Sequence, residues 1–379
     1  MRHTSALLRC IGLLAALAAG TAHALECGTF GFPFCGNARS KPTQYAGGFA
    51  PHAGFGGFGG GDCRNRISHT PVVFIHGNGD SAIGWDSPAP PRAGKPAGPS
   101  VYAEFKARGY NDCELYGVTY LTRTEQQLDN TSRNVHQPKK YRILWQFIQA
   151  VKAYTGSAQV DIVAHSLGVS MSLAALDYYA DRGQDTWPSV HRFVNIAGGL
   201  HGLNSCVLGA ATAATCEAEQ SGTKDAFYSF GFFPDLALPW MRNRWTAVTG
   251  DHALRLAPER HPQVAFYTLY AGGQDDIHCP RALAAWPAAV DCTRGPLFAA
   301  ASNVRAQLDV GAEPASPLPA WTAGVDSQVS SLFPHDLGGI GHFGARDYTG
   351  AIVWRMLTSD CRDTACASAY DGHAVPAAP

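Results

Sequence analysis

The sequence predicts an α/β fold: a mainly parallel central sheet with helices on both faces. Two observations predict it. Short β-branched or aromatic runs alternate with stretches of helical spacing from Pro71 almost to the C-terminus. One of these transitions, Val160–Ala164 into Leu167–Asp181, places a serine, Ser166, at a sharp strand-to-helix junction.

The elements follow in order. Val72-Val73-Phe74-Ile75 reads as a buried strand. A helix over Val101–Arg108 stops at Gly109, and Leu115–Tyr120 is a second strand. Lys139–Tyr154 carries Tyr141, Leu144, Trp145, Ile148, Val151 and Tyr154 at helical spacing, and Pro138 suits the start of that helix. After Val160–Ala164 and Leu167–Asp181 come strands at Arg192–Ala197, Val264–Tyr270 and Arg305–Val310, then a closing helix at Gly350–Leu357. Two long insertions interrupt the alternation. Residues 199–262 hold aromatic clusters, and residues 311–341 are rich in proline, glycine and alanine. Loops of that length inside a compact domain are usually functional. With no repeats and no linker, residues 25–379 read as one catalytic domain. A glycine-rich stretch, 46–61, with Phe49, Phe55 and Phe58 reads as a surface loop; its aromatics either pack on the core or meet an apolar substrate.

Composition narrows the setting. The 379 residues are 46% hydrophobic and only 16% charged, with a net charge of -1, too apolar for a disordered chain. The charge balance offers no basic stripe for nucleic acid. Residues 1–24 have the layout of a secretory signal: Arg2 and Arg9, an apolar run from Ile11 to Ala19, and Ala22-His23-Ala24 as cleavage site. That run is too short to span a membrane, so an exported, extracellular protein is expected. Beyond Cys10, ten cysteines remain. Cys27/Cys35, Cys206/Cys216, Cys279/Cys292 and Cys361/Cys366 are close in sequence, leaving Cys63 with Cys113. Five disulfides are the expectation, and no C-x-x-C spacing suggests a metal.

The chemistry centres on Ala164-His165-Ser166-Leu167-Gly168. A nucleophile elbow needs small residues two before and two after the serine, because backbone packs tightly there; Ala164 and Gly168 meet that need. A serine hydroxyl requires a base to become a nucleophile. In this fold, the α/β-hydrolase fold, an acid follows a late strand and a histidine follows the last one. Asp275 is the leading acid, with Asp276 as runner-up. His342, in Gly339-Ile340-Gly341-His342-Phe343, is the leading base on a flexible glycine loop; His335 and His278 are its rivals. His165 is read as a structural neighbour. The oxyanion donors are expected at the amides of Leu167 and of Asn78, in the loop His76-Gly77-Asn78-Gly79-Asp80. Neither a metal nor a cofactor is needed.

A wider set of residues carries a resemblance. Gln44–Pro51, Val73–Asp80, Lys106–Cys113, Val151–Gly156, Gln159–Leu173, Phe230–Pro234 and Gly341-His342-Phe343 together resemble the extracellular polyhydroxyalkanoate depolymerases that attack native, amorphous poly(3-hydroxybutyrate) granules. The resemblance covers most of the chain after the leader, and the cysteine positions and Ala164 fit it. It implies a secreted, single-domain, lipase-like serine esterase with the triad Ser166, Asp275 and His342 and oxyanion donors Asn78 and Leu167. It also implies a hydrophobic polyester as partner; a monomer is expected. With no separate binding module, adhesion falls to the domain's own aromatics. The departures lie at Thr122–His136 and 311–335. Two alternatives stand beside it: a secreted triacylglycerol lipase or carboxylesterase with the same residues, and a non-catalytic polymer-binding protein on the same scaffold. The intact nucleophile, acid and base argue against the second.

Overall fold

The computed structural model describes residues 25–29, 33–37, 54–60, 67–89, 98–203, 206, 214–216, 258–272, 275, 277–278, 295–312 and 340–369. Residues 1–24, most of both insertions, Asp276, His335, Cys63, Cys279 and Cys292 lie outside them.

Among the described residues the strands and helices run in the following order. They are β1 (Leu25–Thr29), β2 (Pro33–Asn37), β3 (Gly57–Phe58), β4 (Val72–Ile75), α1 (Val101–Ala107), β5 (Leu115–Val118) and α2 (Pro138–Thr155). Then come β6 (Val160–His165), α3 (Leu167–Ala180), β7 (Val190–Ile196), β8 (Ala265–Tyr270), β9 (Val304–Asp309), α4 (Gly341–Asp347) and α5 (Gly350–Thr358). β1 and β2 form an antiparallel pair with Cys27 opposite Cys35. The main sheet has seven strands in the order β3-β5-β4-β6-β7-β8-β9, parallel throughout except for β3. A parallel sheet needs both faces covered, so its strands are apolar on both sides. Alternate residues serve two cores. Val73, Ile75, Ile162, Ala164 and Phe193 pack with α2 and α3. Val72, Phe74, Val163, Val194 and Ile196 pack with Phe105 of α1 and Ile352, Val353 and Met356 of α5. This is an α/β-hydrolase fold.

Local signals explain the helix ends. Pro138 occupies the first turn of α2, and Gly156 closes it in the left-handed conformation, φ 73°. The Ser100 hydroxyl accepts from the amide of Ala103 and caps α1.

Three expectations need correction. The glycine-rich stretch is not a surface loop over residues 57–60. Gly57-Phe58 is an edge strand, and Phe58 is buried. Its partner residue Gly117 makes room: a Cβ there would stand 2.3 Å from Phe58 Cε1. Gly59, φ 144°, likewise makes way for the Tyr116 ring. The aromatics of this stretch therefore divide, Phe58 at 1% exposure and Phe55 at 39%. Second, His342 sits in the first turn of α4, not on a flexible loop. Seven residues are too few to reveal a 3.6-residue period. Third, Tyr154 points outward at the end of α2, where its hydroxyl donates to the Gly60 carbonyl.

The disulfides Cys206–Cys216 and Cys361–Cys366 are formed, with Cα separations of 5.5 and 5.1 Å. Cys113 is also disulfide-bonded. Among the described residues, no helix is long and apolar enough to cross a membrane. The two phenylalanines give a direct check in urea unfolding: Phe58→Ala should cost about 3–5 kcal/mol, and Phe55→Ala within about 0.5 kcal/mol of zero.

Candidate active site

The elbow is built by close backbone approach. β6 ends at His165 and α3 begins at Leu167, so Ser166 alone makes the turn, at φ 53° and ψ -125°. A non-glycine residue holds such a conformation only where its surroundings over-determine it. Here they do. The Ser166 amide donates to the Ile196 carbonyl of β7 at 2.8 Å. A Cβ on Gly168 would lie 2.4 Å from the His76 carbonyl oxygen and 2.9 Å from that of Ile75. A Cβ on Gly77 would stand 3.0 Å from the Ser166 Cβ. The serine is thus wedged against the loop that follows β4.

Asp275 and His342, the expected acid and base, meet across 67 residues of sequence. Asp275 follows β8, His342 opens α4, and both are buried. His342 Nδ1 donates to Asp275 Oδ2 at 2.8 Å. The other oxygen, Oδ1, accepts the backbone amides of Ile277 and His278, each at 3.0 Å. Both carboxylate oxygens are therefore occupied and the carboxylate cannot swing. Burial pushes its pKa up, but His342, His278 and the hydrogen bonds outweigh burial and hold it at about 2. Ser166 Oγ is not hydrogen-bonded to His342 among the described residues. In unliganded enzymes that contact is often long and tightens when substrate binds.

His165 is buried beside His342, with ring centroids 4.7 Å apart. Its Nε2 donates to the His342 carbonyl at 3.1 Å. Burial, and then the neighbouring His342 and Arg346, push its pKa well down, so the ring is neutral and buttresses His342. His278 is also buried; its Nε2 donates to the Ala197 carbonyl at 2.8 Å and lies 3.9 Å from Asp275 Oδ2. Asp275, His278 and His342 offer ligand atoms within 4.8 Å of one another, the one such group among the described residues that could hold a metal ion.

The loop after β4 is fixed from several sides. His76 Nδ1 donates to the Gly77 carbonyl at 2.8 Å, and its Nε2 accepts the Tyr120 amide at 3.3 Å. In a trans peptide the carbonyl and the next N–H point in opposite directions. Holding the Gly77 oxygen thus turns the Asn78 N–H away from His76. The Asn78 side chain is tied to the segment after β5: its Nδ2 donates to Thr131 O at 2.9 Å, and Asn134 Nδ2 donates to its Oδ1 at 2.6 Å. Leu167 is the first residue of α3, where backbone N–H groups have no intrahelical acceptor. Sequence reasoning gave His278 only the part of a rival base, named His76 only as a member of the oxyanion loop, and passed over Asn134. The contacts of His278 with Ala197, of His76 with Tyr120 and of Asn134 with Asn78 join residues far apart in the chain, so no local pattern marks them.

Residues 69–227 match the family model of class 2 lipases. Solved structures similar to this chain include a lipase from Bacillus licheniformis in mature form, at 17% identity over 56% of this chain and 69% of that one, with a TM-score of 0.34. Lipase B of Aspergillus fumigatus matches at 14% over 73% of this chain and 60% of that one, TM-score 0.37. An esterase from Pyrobaculum calidifontis matches at 12% over 54% and 59%, TM-score 0.27. The family match and the sheet topology support a lipase-like ester hydrolase.

The buried histidines set a pH dependence of stability. Burial holds His76 at about 4 and His136 at about 3. Unfolded, each binds a proton near pH 6.5. The unfolded state therefore binds more protons between those values, and stability falls as pH is lowered from about 6.5 towards 4. Asp275 acts lower still: its contribution is present above pH 3.8 and is lost as pH falls towards 2. Melting temperatures from pH 7 to 4 should decline accordingly, and His136→Gln should show a shallower slope whatever its offset at pH 7.

Proposed function

We propose that the chain is a secreted serine esterase that hydrolyses poly(3-hydroxybutyrate)-type polyester. The carrying observation is the buried His342–Asp275 hydrogen bond, set at the same end of the sheet as the strained Ser166. His342, oriented by Asp275, takes the proton from Ser166 Oγ as that oxygen attacks an ester carbonyl. The amides of Asn78 and Leu167 stabilise the oxyanion, each contributing about 3 kcal/mol. His342 then protonates the departing alcohol, leaving an acyl-enzyme on Ser166. Water, deprotonated by His342, releases a short hydroxyacid oligomer and restores the serine.

The polymer assignment rests on the family resemblance of the sequence. It agrees with a low charge content and with a leader and disulfide-forming cysteines suited to export. A second reading, a triacylglycerol lipase or carboxylesterase, is favoured by the class 2 lipase match over residues 69–227. The chemistry is the same and only the acyl chain differs.

Substrate choice separates the two. The wild-type chain is expected to clear amorphous poly(3-hydroxybutyrate) and release hydroxybutyrate oligomers. Fatty acid from triolein without polymer products would favour the second reading. Ser166→Ala should abolish clearing, and wild-type clearing by that variant would remove the assignment. Asp275→Asn, with its hydrogen-bond geometry kept but its charge lost, should lower kcat about 10³–10⁴-fold.

A further inference from the structure

Arg346 takes no part in the steps above, yet it is fully buried one turn after His342 on α4. Its Nη1 donates to Asp80 Oδ2, across 266 residues of sequence, and its Nε donates to Asp347 Oδ1 at 2.6 Å. Asp80 lies two residues beyond Asn78 in the same loop, and its Oδ1 accepts the Ser81 amide at 2.7 Å. Space around the pair is tight. A Cβ on Gly84 would stand 2.6 Å from Asp80 Oδ2 and 2.7 Å from Arg346 Nη1. The Trp85 and Phe343 rings lie with centroids 5.7 Å from the guanidinium carbon.

We infer that Arg346 is a positioning residue, whose guanidinium straps the oxyanion loop, through Asp80, to the helix that carries His342. The inference rests on the reading of Ser166, Asp275 and His342 as a triad. A buried ion pair is weak as a source of stability, since apolar groups of similar volume often replace it without loss. What apolar groups cannot replace is direction: the guanidinium fork fixes two carboxylates in one plane. One of those carboxylates belongs to the oxyanion loop and the other to α4. Base and oxyanion donor must keep their spacing to within a fraction of an ångström for the attack to proceed. Burial disfavours the charge on Arg346, but Asp347 and Asp80 raise its pKa further, so the strap is a permanent cation.

The test uses the full chain, p-nitrophenyl butyrate turnover, and a fluorophosphonate titration that counts working sites. That count removes any loss due to misfolding, which a purely structural role would produce. In Arg346→Met, kcat per labelled site is expected to fall about 10–100-fold with KM within about threefold. Arg346→Lys should recover part of the loss. Asp80→Asn, which keeps the shape of the side chain, should fall in the same way, and the double variant should be no worse than either single one. Wild-type kcat per labelled site in Asp80→Asn would overturn the inference. So would an Arg346→Lys variant that loses melting temperature but keeps full kcat per site, a readout that holds even if the methionine variant fails to fold. A wild-type chain that neither labels at Ser166 nor turns over the ester would sink the triad reading instead, a result distinct from any ranking of the variants.

Discussion

The site depends on one close approach of backbone to backbone. The first turn of α3 passes so near the end of β4 that the carbonyl oxygens of Ile75 and His76 occupy the space where a side chain at 168 would begin. Only glycine permits that distance. The contact brings Ser166 and the loop after β4 together. It also explains the positive φ of Ser166: the chain has a single residue in which to leave the strand and enter the helix. The strain at the serine is held by the packing of two parallel strands and the helix between them.

Around that contact the polar groups are arranged as supports behind supports. Asp275 holds His342, two amides hold Asp275, and His165 holds the His342 backbone. On the other side His76 holds the Gly77 carbonyl, and Asn134 holds Asn78. Burial makes this arrangement effective, because the neutral rings of His165 and His76 are each held in one tautomer by a partner they cannot exchange for water.

The sequence made the frame legible where pattern and structure share a period. β4, β6, β7 and β8 and helices α2 and α3 coincide with runs of apolar spacing long enough to be counted. Ser166 is marked by the small residues that flank it. The Asp275–His342 contact was within reach because each follows a strand in an order the fold fixes. Other features carried no such mark. β3 has only two residues and depends on a glycine 59 positions away. α4 is too short to show a period. Arg346 and Asp80 are polar residues in polar-looking stretches, and nothing local says they will be buried together. Legibility ended where an element was shorter than its period, or where a contact joined distant segments.

The pairing of Phe58 with Gly117 has a consequence away from the active site. A sheet edge with a long run of unpaired N–H and C=O groups is a template on which a second chain can add a strand. At this edge the final strand is two residues long, with glycines on both sides, and its aromatic ring is turned inward into a notch left by another glycine. Residues 56–60 are buried as well. A second copy of the chain therefore finds no open rail along these residues on which to add a strand.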